Sequence, residues 1–166
     1  MRKRCMAGLF ILLLTLSSCA IFTAQKTQPP EGAYRVYFAV TGERASVDAV
    51  DYEYRILPEG APPIRTLAEA ILAGPGTADL VSPLPGGVSV RSAHLGIDGQ
   101  LHLDLSERYG GLSGIDLTIA NACFALTFCQ IPGVVNLYIT VEGEPIPYQN
   151  LQTLRPEDLV LPTPNL

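Results

Sequence analysis

Residues 82–109 read SPLPGGVSVRSAHLGIDGQLHLDLSERY and contain the clearest β-hairpin pattern of the chain. In the second arm, every second residue of 101–105 is leucine and the residues between are polar. Such alternation is typical of a strand that buries one face. The first arm alternates in the same way at Ala93 and Leu95. The pattern therefore predicts two antiparallel strands with one apolar face against a core.

The loop between the two arms sets their register. A two-residue turn at Asp98 and Gly99 would place apolar side chains opposite polar ones on both faces. A three-residue loop at 97–99, with Gly99 in the left-handed conformation, matches the faces instead. The pairs that this register predicts are Leu95 with Leu101, Ala93 with Leu103, His94 with His102 and Ser92 with Asp104. It also places Arg91 opposite Leu105 on the apolar face, with the guanidinium reaching water at the rim.

The first twenty residues have the organisation of a secretory signal. A basic start at residues 2–4 precedes a short apolar run at 9–16, and the sequence LSSC then ends at Cys19. This resembles the lipobox of bacterial lipoproteins, in which the cysteine is acylated and the peptide before it is removed. An uncleaved membrane anchor is disfavoured because the run is shorter than the ~20 residues that a span needs. We predict a signal peptide at 1–18 and a lipidated Cys19 with a disordered tether at 19–33, holding an extracytoplasmic domain to the cell membrane.

The charge of the chain disfavours nucleic acid as a partner. Without the predicted signal peptide, eight basic side chains face sixteen acidic ones, a formal charge of −8. The arginines are scattered singly rather than clustered, which disfavours nucleic-acid binding. The remaining length suits one domain with its own core. We place this domain at 34–150, followed by a Pro-rich tail at 151–166 that packs back onto it.

The order of elements predicts an α+β fold. A helix at 63–73 has apolar residues at the spacing of a core-facing stripe, and a second, uncharged helix is predicted at 114–130. Strands are predicted at 34–40, 50–56 and 134–141, besides the hairpin. We expect a two-layer sandwich with two helices on one face of a mixed sheet of three to five strands.

Candidate chemistry is sparse. His102, Asp104 and Ser106 share one strand face, but a hydrolase triad needs the imidazole between the nucleophile and the carboxylate, and here Asp104 lies in the middle. His94 opposite His102 offers two ligands, whereas structural zinc takes four. We therefore expect exposed polar residues there, with no catalytic, cofactor or metal site and no enzymatic activity.

Two cysteines remain after the predicted processing, Cys123 and Cys129. They lie six residues apart in the second predicted helix, whereas helical side chains meet at a spacing of three or four. We expect two small buried apolar side chains rather than a disulfide.

Five segments resemble, in order and spacing, the successive motifs of the GerMN domain family of sporulation and spore-germination proteins. The segments are RTLAEAILAGP at 65–75, SPLPGGV at 82–88, LDLS at 103–106, IPGV at 131–134 and VEG at 141–143. The resemblance runs from residue 34 to about residue 146, nearly the whole predicted mature chain.

The resemblance implies a small unit with two helices on one face of a sheet, related to the ring-building modules of sporulation channel complexes. Such proteins are membrane-anchored and take part in assembly outside the cytoplasm, and the family offers no catalytic residues to carry over. GerM itself has tandem modules, whereas this chain carries one. We therefore expect its soluble domain to be a monomer or to self-associate weakly.

Two functional hypotheses follow. The favoured one is an interaction module that binds other envelope proteins, through an edge strand at 34–40 or 134–141 or through the open sheet face. The alternative is a binding protein for a small envelope ligand or a metal, which would use the open face around His94 and His102.

Overall fold

The computed structural model describes residues 29–159 except 47, 148 and 150, so the predicted signal peptide and Cys19 lie outside the described residues. Two α-helices form, α1 (Pro63–Ala73) and α2 (Gly114–Phe128). The strands are β1 (Ala33–Val40), β2 (Val50–Ile56), β3 (Leu80–Val81), β4 (Val90–Leu95), β5 (Gln100–Leu105), β6 (Asn136–Val141), β7 (Glu144–Pro145) and β8 (Thr153–Leu154). Short 3-10 turns occur at Gly42–Ser46, Glu107–Gly111 and Pro156–Asp158.

The strands form two sheets. One has three strands in the order β2-β1-β3, all antiparallel. The other has five, in the order β4-β5-β6-β7 with β8 also paired to β6, and its β5–β6 pair is parallel. The α+β class with two helices and mixed strands is confirmed, and the strands divide between two sheets rather than forming one.

The predicted hairpin register is confirmed. Leu95 pairs with Leu101 and His94 with His102, and the Gly99 N–H donates to the Gly96 carbonyl at 3.1 Å within the three-residue loop. Gly99 has φ +80°, the left-handed conformation that such a loop needs.

Two predicted positions in β4 are wrong. The register shifts between Val90 and Ser92, so that Val90 pairs with Leu105 and Arg91 is the extra residue of a β-bulge. The bulge moves the guanidinium off the apolar face, where its charge would have had to be desolvated. Ala93, predicted against the core, is exposed because β4 is the outermost strand of its sheet.

One main core joins both sheets. It packs Val36 and Phe38 of β1 and the leucines of β5 against both helices, with Phe124 and Phe128 of α2 stacked inside it. A smaller cluster on the opposite face of β1 packs Tyr37 against Cys123 of α2. Helix α2 is apolar on nearly all sides because it packs against both clusters. No helix in the described part of the chain is long and apolar enough to cross a membrane.

Two predicted boundaries differ from the structure around the end of α2. The helix ends at Phe128 with Cys129 as its cap, two residues before the predicted end. Strand β6 begins at Asn136, two residues after the predicted start, so Val135 lies outside the strand and is exposed. The Val135 N–H donates to the Gly99 carbonyl at 2.8 Å, so the hairpin loop fixes its orientation.

Side chains of the α2 end close part of the free edge of β1. The Arg35 N–H donates to the Gln130 carboxamide oxygen at 2.9 Å, and the Gln130 amide donates back to the Arg35 carbonyl. Two residues further along, the Tyr37 N–H donates to the Thr127 hydroxyl at 3.0 Å. Strand β3 pairs only with Ala39 and Val40, and these side-chain contacts satisfy backbone N–H groups of β1 that have no strand partner on that side.

The expectation that the strand at 134–141 lies at a sheet edge is wrong, because β6 lies between β5 and the short strands β7 and β8. For the strand at 34–40 the expectation holds in part, because β3 pairs with β1 only at Ala39 and Val40 and no strand pairs with that side of residues 33–38. In the tail, Leu154 of β8 is buried and Leu159 packs on the main core, whereas Leu151 is exposed; Val160 lies outside the described residues.

Candidate interaction surface

The outer side of strands β4, β5 and β6 faces away from the core, and we call it the open face. Its positions follow from the registers, because residues directly opposite each other share a face. The open face carries Ser92, His94, His102, Asp104, Tyr138 and Thr140. The other side of β5 and β6 is fully buried at Leu101, Leu103, Leu105, Leu137 and Ile139. The open face thus rests on a rigid apolar layer.

The two histidines of the chain lie directly opposite each other on the open face. Both His94 and His102 are exposed, and the His102 ring lies 5.3 Å from the ring of Tyr138. No group of three or more metal-ligating side chains occurs among the described residues. The arrangement therefore presents two exposed imidazoles beside the half-buried side chain of Tyr138.

The structure separates the three residue types that suggested a triad. The Ser106 hydroxyl accepts a hydrogen bond from the Ser89 N–H at 3.0 Å, and the Ser106 N–H donates to the Ser89 carbonyl. Asp104 is bonded to other residues as described below. Ser106 and Asp104 thus fasten the hairpin rather than contact His102.

Asp104 is the centre of a hydrogen-bond network at one end of the open face. Its Oδ1 accepts from the Thr140 hydroxyl and from the Gly143 N–H, each at 2.8 Å. Its Oδ2 accepts from the Arg91 guanidinium at 2.8 Å, and this guanidinium also lies 3.2 Å from Glu142. The β-bulge at Arg91 is what brings the cation to this carboxylate.

The same network sets the charge state of Asp104. Desolvation by itself would raise the pKa of the carboxyl, but the hydrogen bonds from Gly143 and Thr140 and the positive charge of Arg91 outweigh it. The pKa of Asp104 is therefore held below its ordinary value.

Glu142 completes the connection between the hairpin and the β6–β7 turn. Its backbone has φ +53°, which is uncommon outside glycine, and its N–H donates to the Leu105 carbonyl at 3.0 Å. Its carboxylate accepts from the Glu107 N–H at 3.0 Å. The LDLS segment at 103–106 and the VEG segment at 141–143 therefore meet in space, a contact that their sequence separation does not reveal.

The two cysteines in the described part of the chain form no disulfide. Cys123 is fully buried and Cys129 half-buried, and both are free. Burial raises the pKa of the Cys123 thiol far above its usual range. Burial, and to a lesser extent the charge of Glu157, raises the pKa of Cys129 to about 11. Neither thiol has the low pKa of a reactive cysteine.

These features describe a small α+β module with a polar sheet face on a continuous core. The chain belongs to the family described as "Germane: Sporulation and spore germination", whose model matches residues 35–147. A comparison with curated proteins finds no significant match.

Solved structures share the fold. The first GerMN domain of the sporulation protein GerM from Bacillus subtilis matches with a TM-score of 0.61 at 16% identity, over 76% of this chain and 98% of that one. The tandem GerMN domains of the same protein match with a TM-score of 0.62 at 15% identity, over 76% of this chain and 46% of that one. This chain therefore spans about half of the tandem structure. A protein described as "Putative Lipoprotein from Clostridium perfringens" matches with a TM-score of 0.51 at 19% identity, over 78% of this chain and 89% of that one.

Proposed function

We propose that this protein is a lipid-anchored, extracytoplasmic module of the cell envelope that binds other envelope proteins during sporulation or spore germination. The observation that carries the proposal is the family match over residues 35–147, nearly all of the folded part. The lipobox ending at Cys19 supports a lipid anchor outside the cytoplasm.

Binding rather than turnover is the proposed mode of action. The open face presents exposed side chains of Ser92, His94 and His102 on a rigid support. Asp104, the carboxylate nearest to them on β5, is occupied by Arg91 and by two further hydrogen bonds. A pre-organised surface of this kind binds a partner without a large ordering cost.

Anchoring is tested by the substitution Cys19→Ala in the full chain. We expect the mutant to keep its signal peptide and to incorporate no labelled fatty acid, because the sulfur that would carry the lipid is gone. Acylated, membrane-bound mature protein in the mutant would refute the lipobox.

Partner binding is tested on the open face with a matched control. The double substitution Ser92→Lys and Tyr138→Glu introduces one charge of each sign on this face. Ala73→Lys with Thr118→Glu introduces the same charges at exposed positions of the two helices. We expect both proteins to fold, and only the open-face variant to lose co-purification with envelope proteins after cross-linking in cells. Equal retention in both variants would place the partner elsewhere.

The soluble chain beginning at Gln25 should be a monomer or a weakly associating species. A single small module offers little surface compared with the ~1,600 Å² buried in a stable complex. Light scattering over a range of concentrations checks this, and a ring that persists on dilution would show that one module suffices for assembly.

The alternative function, binding of a small ligand or metal, is favoured by one observation. His94 and His102 are paired across β4 and β5 with both rings exposed. We expect equimolar zinc to leave the melting temperature unchanged, since two imidazoles are half of a structural zinc site. A rise that disappears in His94→Ala would instead support the alternative.

A further inference from the structure

Three large apolar side chains are exposed at one end of the domain. Ile97, at the tip of the hairpin loop, is fully exposed, and Ile56 and Val135 are 67% and 57% exposed. We call these three residues the apolar tip.

The backbone contacts show that the apolar tip is one end of the molecule. Ile56 is paired with Ala33, the first residue of β1. Two residues into β1, Arg35 is hydrogen-bonded to Gln130, just after α2. Between Gln130 and Val135 the chain turns, with the Val134 N–H donating to the Ile131 carbonyl at 3.0 Å, and the Val135 N–H then donates to the Gly99 carbonyl in the hairpin loop. The starts of β1 and β6, the end of α2 and the hairpin loop are therefore neighbours.

The described chain enters the domain at this same end. Its first residue, Pro29, lies four residues before β1, and the Pro30 carbonyl accepts from the Ala33 N–H at 3.0 Å. Ten residue steps separate Pro29 from Cys19, so the covalent chain between them spans at most about 36 Å. A lipid on Cys19 would thus hold the apolar tip close to a bilayer.

We propose that the apolar tip is a membrane-contact surface, which rests on the phospholipid bilayer when Cys19 is acylated. The proposal depends on the lipid anchor proposed above. Three aliphatic side chains alone bind a bilayer weakly, but a short tether converts their contact into an intramolecular event at high effective concentration. The domain would then stand with β1, β5 and β6 pointing away from the membrane.

The charges at this end limit the depth of the contact. Asp98 follows Ile97 directly, and its carboxylate accepts from the Gln100 N–H at 3.1 Å. Glu31 lies in the turn before β1. Arg55 precedes Ile56 directly, and Arg35 lies two residues into β1. Charged side chains of both signs therefore surround the apolar tip, and because each is costly to desolvate, the contact should be shallow.

The chain contains no tryptophan, so a single introduced tryptophan reports its own surroundings. The test position is Ile97→Trp. The matched control is Ile115→Trp, since Ile115 is 64% exposed at the start of α2, about 20 Å along the helix from the apolar tip. Both variants are made as the full chain, and intact mass determines whether each carries acyl groups. They are then reconstituted into phosphatidylcholine vesicles with brominated acyl chains.

We expect the Ile97→Trp emission to shift to the blue and to be quenched by bromine at least twofold more than that of Ile115→Trp. Adding Val135→Asp to Ile97→Trp should reduce the quenching. Chains without acyl groups would overturn the lipid anchor and this proposal with it. Acylated chains with equal quenching at both positions would overturn the membrane-contact surface alone and leave the anchor standing.

Discussion

Substitution of Gly99 tests the hairpin loop on which the five-stranded sheet depends. Gly99 has φ +80°, where an L side chain is strained. A Cβ at this position would also lie 2.7 Å from Cγ2 of Val135 and 3.0 Å from the Gly133 carbonyl oxygen. Gly99→Ala therefore combines a backbone strain with a steric clash.

The two contributions can be estimated separately. The left-handed conformation costs a non-glycine residue ~1–2 kcal/mol, and overpacking costs ~1–3 kcal/mol. Gly99→Ala should thus lower the free energy of unfolding by about 2–5 kcal/mol if both apply in full. Gly133 is the matched control, since it has φ +91° and a Cβ added there would meet nothing within 4 Å beyond its chain neighbours. Gly133→Ala should cost only the strain, about 1–2 kcal/mol.

Urea unfolding of the soluble chain measures these differences. A third variant, Gly99→Ala with Val135→Ala, removes the closest side-chain atom, so the double-mutant cycle should show a favourable coupling between the two positions. Equal costs for Gly99→Ala and Gly133→Ala would show that the contact with Val135 is unimportant. A wild-type unfolding curve for Gly99→Ala would refute the three-residue loop itself.

Three further predictions concern polar contacts and thiols. Because the pKa of Asp104 is lowered in the fold, its carboxylate stabilises the folded state at every pH above the unfolded-state pKa. This stabilisation is lost as pH falls through the folded-state pKa, from about pH 5 downward. Asp104→Asn should therefore make the free energy of unfolding less dependent on pH on the acid side, and an unchanged dependence would contradict the lowered pKa. Gln130→Ala leaves the Arg35 N–H and carbonyl unpaired and should cost ~1–3 kcal/mol, and Gln130→Glu should also destabilise because a carboxylate cannot donate to that carbonyl; urea midpoints check both. With its pKa raised to about 11, Cys129 should react slowly with a thiol reagent at neutral pH in the soluble chain beginning at Gln25, and labelling as fast as that of a fully exposed cysteine would contradict its burial.

The hairpin register was predictable because two independent constraints act on the same few residues. The alternation at 101–105 requires one buried face, and only a three-residue loop matches that face to Ala93 and Leu95. The bulge at Arg91 was not predictable from alternation, since it depends on the charge of Asp104 and on Glu142, which lies 51 residues further along the chain.

The division into two sheets was not predictable for a different reason. Strands β3, β7 and β8 have two residues each, too few to show a period. The part of β1 beyond β3 is closed by Gln130 and Thr127, and a side chain that replaces a strand leaves no hydrophobic pattern. Sequence periodicity locates helices and strands, but it does not show which groups hydrogen-bond to the backbone at the edge of a strand.

Whether the backbone groups at a sheet edge are already hydrogen-bonded determines how a partner could bind. Strand addition needs a free backbone edge, and on β1 that edge is taken up by β3 and by side chains from the end of α2. On β4 the bulge at Arg91 interrupts the strand and turns its edge, a feature that protects edge strands from pairing with other chains. Both features make sheet extension at β1 or β4 less favourable, whereas β2, the outermost strand of the other sheet, is protected by neither. The open-face substitutions at Ser92 and Tyr138 separate the two modes of binding, because they alter the open face and leave every backbone edge, including that of β2, unchanged. A partner that still binds the open-face variant would therefore point to strand addition at β2.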